Sequence, residues 1–190
     1  MTNSVETRPG KRERLVAAAV GLVHEQGIER TTLADIAGAA DVPLGNVYYY
    51  FKTKDDVIAA VIAARAEMVR TFLSGLDAKH RTPKSRLRAF VRAISDQSAY
   101  VAQHGCPLGG LCAELDKRAM PAPFDVGELL GIPIEWAATQ FTALGRRDAH
   151  DLAVHLQAVY QGSALLAATL GDPDVLRRAA RRLDQWIESL

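Results

Sequence analysis

Long apolar runs, a disulfide framework and an excess of charge of either sign are all missing from this sequence, and each absence narrows what the protein can be. No apolar stretch approaches the roughly 20 residues that span a bilayer, and the opening MTNSVETRPG has no apolar segment of the kind that directs secretion. The expectation is a cytoplasmic protein with no membrane partner. Two cysteines in a reducing compartment do not make a disulfide framework. A formal charge of +1 argues for no class of partner, and residues 1–60 carry seven Lys/Arg against eight Asp/Glu. Any nucleic-acid surface must therefore arise from where individual cations sit and not from a basic domain. Strand-like alternation and internal repeats are absent too.

What is present is helical period over most of the 190 residues, 48% of them apolar and 24% charged, enough for one sizeable core or a small domain attached to a larger one. Leu15, Ala18, Ala19, Leu22 and Val23 share one helix face, and Gly27 stands where a C-cap glycine ends that helix, which predicts a helix over about 10–26. Thr32 with Asp35 reads as a capping pair opening a helix at about 32–39. Asp41-Val42-Pro43 then turns the chain tightly into a third helix at about 44–50, and Thr53 with Asp56 caps a long fourth one carrying Val57, Val61, Ala64, Met68 and Phe72. Further on, the pattern predicts helices over about 84–103, 108–118, 134–145 and 148–170, with a loop over 119–133, where Pro121, Pro123, Gly127, Gly131 and Pro133 collect. Gly171-Asp172-Pro173 stops one helix and starts the last, whose stripe is Leu176, Ala179, Ala180, Leu183, Ile187 and Leu190.

Three short helices with a tight turn between the second and third describe a helix-turn-helix unit whose third helix enters the major groove. In DVPLGNVYYYFKTKDDV, residues 41–57, the spacing turns Val47 and Phe51 inward and leaves Leu44, Gly45, Asn46, Tyr48 and Tyr49 outside. An exposed tyrosine offers a ring to a thymine methyl and a hydroxyl to a phosphate. Lys52 and Lys54 can neutralise phosphates, and Thr32 at a helix N-terminus can donate to another. Tyr50 fits either side of the helix.

The run TTLADIAGAADVPLGNVYYYFKTKDDV resembles the DNA-binding signature of the TetR/AcrR family of transcriptional repressors, from about Lys11 to Val61, with Asp41 where that family usually has glycine and Pro43-Leu44 in place of a polar pair. The resemblance implies an all-α protein: a helix-turn-helix DNA-binding domain over residues 1–54 and a helical ligand-sensing and dimerisation domain over 55–190. It implies a homodimer on a palindromic double-stranded operator, an unidentified small-molecule or electrophilic inducer, and an interface built from the last two helices. The interface candidates are Leu156, Val159, Leu176, Leu183, Ile187 and Leu190, whose stripe on the final helix would lie exposed in a monomer. Arg177, Arg178, Arg181 and Arg182 read as a solvated face. Pocket candidates are Met68, Phe72, Phe90, Trp136, Phe141 and Tyr160, each of which fits a plain core equally well.

HGCPLGGLCAELD, residues 104–116, sets Cys106 at a helix N-terminus, where backbone N–H groups lower a thiol pKa, with His104 close by. Cys106 reads either as a reactive thiol or as a small buried side chain, and Cys112 as a buried one. The segment resembles the cysteine motif of electrophile sensors in the same family. A thiol enzyme from His104, Cys106 and Asp116 lacks any oxyanion motif, so no enzyme is expected. The six-residue spacing of the cysteines fits no common zinc site, so no metal or other cofactor is expected.

Overall fold

The computed structural model describes residues 9–118 and 126–190, and within them every regular element is a helix. The elements are α1 (Lys11–Gln26), α2 (Leu33–Ala39), α3 (Leu44–Tyr50), α4 (Lys54–Lys79), α5 (Pro83–Asp96), α6 (Ser98–His104), α7 (Pro107–Asp116), α8 (Val126–Ala143), α9 (Ala149–Leu170) and α10 (Pro173–Ser189). Two compact units meet in sequence between Ala64 and Arg65, ten residues past the 54/55 boundary expected from the motif. The first turns of α4 belong with the first unit because Val57, Ile58 and Val61 are buried among its apolar side chains.

The first unit is built by its caps. Gly27 ends α1 at φ 85°, a backbone that favours glycine. Thr32 opens α2 by accepting a hydrogen bond from Asp35 N at 3.1 Å while its own N–H donates to Asp35 Oδ2 at 2.9 Å. Asp41, at φ 51°, is the one non-glycine residue with positive φ among the described residues. A non-glycine left-handed residue costs about 1–2 kcal/mol. Arg14 offsets it: its Nη1 donates to the carbonyls of Ala40 at 2.9 Å and Asp41 at 3.2 Å, pinning the turn to α1. Thr53 and Asp56 repeat the box at α4, with Asp56 N donating to Thr53 Oγ1 at 3.1 Å. Leu15, Ile28, Ile36, Val47 and Phe51 lie in this unit's core.

In the second unit α10 packs on α5 and α9, and α8 along α9. Leu176, Leu183 and Ile187 fill the seam, and Arg88 of α5 clamps it by donating to both oxygens of Asp184, at 2.8 and 2.9 Å, and to Glu188. Two expectations are corrected. The helix expected over 84–103 is two helices, broken at Gln97, where buried Ser98 accepts a hydrogen bond from Arg177 Nε of α10 at 2.9 Å. That tertiary bond leaves no trace in the period. Of the loop expected over 119–133, residues 119–125 lie outside the described residues, and 126–133 are helical, with Pro133 inside α8. A proline in a helix interior costs about 3 kcal/mol and a glycine about 1. Burying Leu129 and Phe141, at about 1.5–3 kcal/mol each, is enough to override them.

Candidate DNA-binding head and ligand cleft

On α3 the structure separates the side chains as the spacing predicts: Val47 is fully buried and Phe51 nearly so, whereas Tyr49 is 77% and Tyr48 50% exposed. Leu44 and Gly45 are exposed and Asn46 half-exposed on the same outer side, and Tyr50 is half-buried, edge-on to Tyr49 with ring centroids 5.0 Å apart. The two lysines are less free than the sequence suggests. Lys52 Nζ donates to Tyr48 O at 2.8 Å, at the C-terminal end of α3, and Lys54 Nζ donates to Glu29 O at 3.1 Å. An ammonium has three donors, so each keeps capacity for a phosphate while it holds a helix end or loop in place. Thr32 is more committed, because its hydroxyl donates to Asp35 Oδ2 at 2.7 Å and accepts from Asp35 N. Its hydrogen bonds also hold the Asp35 carboxyl below the usual carboxylate range. The sequence reading missed Arg12, whose guanidinium stacks over the Phe51 ring at 5.7 Å and so stands beside the end of α3.

The second unit contains a cleft of about 220 Å³. Of the expected pocket residues, Met68, Phe72, Phe90 and Tyr160 line it. Trp136 does not. It stands behind Phe90, ring centroids 5.6 Å apart, with its indole N–H donating to both carboxylate oxygens of Asp77 at 3.2 Å. Phe141 is fully buried against Trp186 and is core. Arg65, Gln157 and Pro133 also line the cleft and were missed. Arg65 could have been found, because it lies seven residues before Phe72 on the α4 face that carries Met68.

Cys106 lines this cleft as the N-cap of α7, its Sγ accepting from Gly109 N at 3.4 Å. The Tyr160 hydroxyl hydrogen-bonds it, and burial, then Cys106, pushes that phenol well above its ordinary value. Desolvation lowers the Arg65 guanidinium, while Tyr100 and Cys106 act in the opposite sense. The three expected sensor residues are not brought together in the cleft. His104 packs against Tyr100, ring centroids 4.9 Å apart, and Cys112 is buried within α7, its thiol pushed up to about 11 by burial and then by Cys106. Among the described residues no group of three or more His, Cys, Asp or Glu could hold a metal ion.

The expected dimer stripe needs correction. Leu156, Leu176, Leu183 and Ile187 are each no more than 4% exposed within the single chain, and Val159 and Leu190 are half-buried, so this stripe is the protomer's own core. The uncovered apolar side chains are on α9: Val154 at 41%, Leu165 at 68%, Leu166 at 53% and Leu170 at 66% exposed. The expected arginine face is partly engaged, Arg177 holding Ser98 and Arg178 pairing with Asp172 at 3.3 Å, while Arg181 and Arg182 are exposed. No helix among the described residues is long and apolar enough to cross a membrane.

A tight-turned three-helix head followed, among the described residues, by seven further helices is the architecture of a helix-turn-helix regulator. Residues 15–61 match the family described as bacterial regulatory proteins, tetR family. An uncharacterised HTH-type transcriptional regulator of Lactococcus lactis subsp. lactis is 28% identical over 106 residues, 55% of this chain and 54% of that protein, so the chain spans about half the length of that relative. The HTH-type transcriptional regulator BetI of Burkholderia lata is 27% identical over 194 residues, 98% of this chain and 96% of that protein. A TetR transcriptional regulator from Legionella pneumophila superposes with a TM-score of 0.81 over 94% of this chain and 98% of that one, at 22% identity. The chain is a DNA-binding transcriptional regulator whose residues 15–61 match the tetR family and whose fold is that of TetR regulators, a family whose members bind DNA and act as dimers.

Proposed function

We propose that this chain is a homodimeric repressor that holds a palindromic operator through paired heads and releases it when a small organic molecule occupies the cleft. The observation that carries this reading is the span of α4: the helix that begins at Lys54 of the head also supplies Arg65, Met68 and Phe72 to the cleft. An occupant that displaces those side chains acts on a helix of which the head contains the first turns, and a ligand shifts such an equilibrium by its difference in affinity for the two states. Leu44, Gly45, Asn46, Tyr48 and Tyr49 read the major groove, while Lys52, Lys54 and Thr32 meet phosphates. The uncovered apolar face of α9 supports a dimer, and a two-fold protein imposes two-fold symmetry on its site. The test is operator selection from random duplex DNA followed by binding titrations at several salt concentrations. A palindromic site with a steep salt dependence is expected, and binding indifferent to sequence would sink the reading.

Cys106 favours a second reading, because its thiol faces the same cleft and caps α7. Alkylation by an electrophile would add bulk where Gly109 N and Tyr160 now hold the sulfur, and a packed interior passes such strain on. Cys106→Ser should then keep operator affinity and lose release by N-ethylmaleimide, while Cys112→Ser keeps both. Release of the Cys106→Ser protein by the reagent would exclude it.

A further inference from the structure

The cleft has two chemically different ends. Phe72 and Phe90, ring centroids 6.2 Å apart, and Met68 make one end apolar. Arg65, seven residues before Phe72 on α4, lies two turns away, about 10.5 Å along the helix axis. It is the one charged side chain among the described residues that line the cleft. Tyr160 and Gln157 of α9 also line the cleft. Gln157 is only 5% exposed. A guanidinium can only donate, and an amide NH₂ can donate as well, so the polar side chains of the cleft are matched to an acceptor carrying negative charge. An ammonium head would meet Arg65 as a like charge.

We propose that the cleft is built for a small amphipathic carboxylate, its charge on Arg65 and Gln157 and its apolar body along Met68, Phe72 and Phe90, an inference that rests on the reading of this cleft as the effector site. Calorimetric titration of the full chain with octanoate, octanol and octylamine holds the tail fixed and changes only the head. Octanoate should bind about tenfold or more tighter than octanol, with octylammonium weakest. Arg65→Gln should abolish the preference and leave octanol affinity unchanged. Gln157→Leu should weaken octanoate alone and by less, giving a second reading should Arg65→Gln fail to fold. Phe72→Ala should weaken octanoate and octanol equally. Equal binding of octanoate and octanol to the wild-type chain, or a preference that survives Arg65→Gln, overturns the proposal. The neutral dye N-phenyl-1-naphthylamine separates the two failures: dye displaced by octanol and not by octanoate overturns the carboxylate while the effector site stands. A chain that binds neither the dye nor any of the three head groups overturns both.

Discussion

α9 and α10 lie side by side and make opposite use of apolar residues. α10 is strongly two-faced, with Leu176, Ala180, Leu183 and Ile187 on one stripe and arginines on the other, and the stripe is entirely consumed by α5 and α9 of the same chain. α9 is apolar on nearly all sides, so it buries Ala153, Leu156, Ala164 and Ala167 inward and still presents Val154, Leu165, Leu166 and Leu170 outward. A sharp amphipathic stripe shows which face must be covered, whereas a helix with apolar residues left over after its own core is complete keeps an uncovered face.

The strongest way to break this comparison is to charge the α10 stripe. Leu183→Glu with Ile187→Glu places two carboxylates in the protomer's core, and the chain should fail to fold, read by circular dichroism and urea melts. Ile187→Ala alone should cost about 2–5 kcal/mol. A folded, soluble double-Glu monomer would return the interface to α10.

Charging α9 should do the reverse. Leu165→Glu with Leu170→Glu should leave the fold intact and yield a monomer by sedimentation. Operator affinity should fall by about 10²- to 10⁴-fold, because the two heads no longer act at one another's effective concentration. An unchanged dimer would move the interface elsewhere.

Smaller effects sharpen the contrast between head and core. Asn46→Ala should cost about 1–3 kcal/mol of operator binding and relax choice at one base position, while Tyr49→Ala should weaken the operator complex without moving the melting midpoint, since Tyr49 is 77% exposed. Full affinity in a Tyr48→Ala, Tyr49→Ala double variant would remove those tyrosines from the DNA surface.

The smallest expected effect is a pH dependence at the α5–α10 seam. Hydrogen bonds from Arg88 hold the Asp184 carboxyl below its ordinary value. A group depressed in the folded state contributes stability that is complete above the unfolded value of about 3.9 and is lost as pH falls through the folded one. The difference between wild type and Arg88→Ala in urea melts should therefore be present at pH 6 and close as the pH is lowered below about 4. A difference constant with pH would show that Arg88 acts only by packing.

The head was the most legible part of the molecule because its information is local. The two Thr–Asp boxes, Gly27, the left-handed Asp41 and the placement of Val47 and Phe51 against Tyr48 and Tyr49 each follow from residues within a few positions of one another. The commitments of Lys52 and Lys54 to carbonyls were less so. Lys54 reaches Glu29, 25 residues away.

The sequence by itself determined an all-helical chain, a helix-turn-helix head and the two faces of α3, because capping and 3.6-residue period act over one or two turns. Only the tertiary structure decided that the chain breaks at Gln97, that α8 continues through Pro133, that Trp136 and Phe141 stand outside the cleft while Arg65 and Gln157 line it, and that α10 is covered by its own protomer while α9 is not. Period fixes which side of a helix is apolar, but which chain covers that side, and which side chains from helices far apart in sequence share a cavity, is set by how the helices pack.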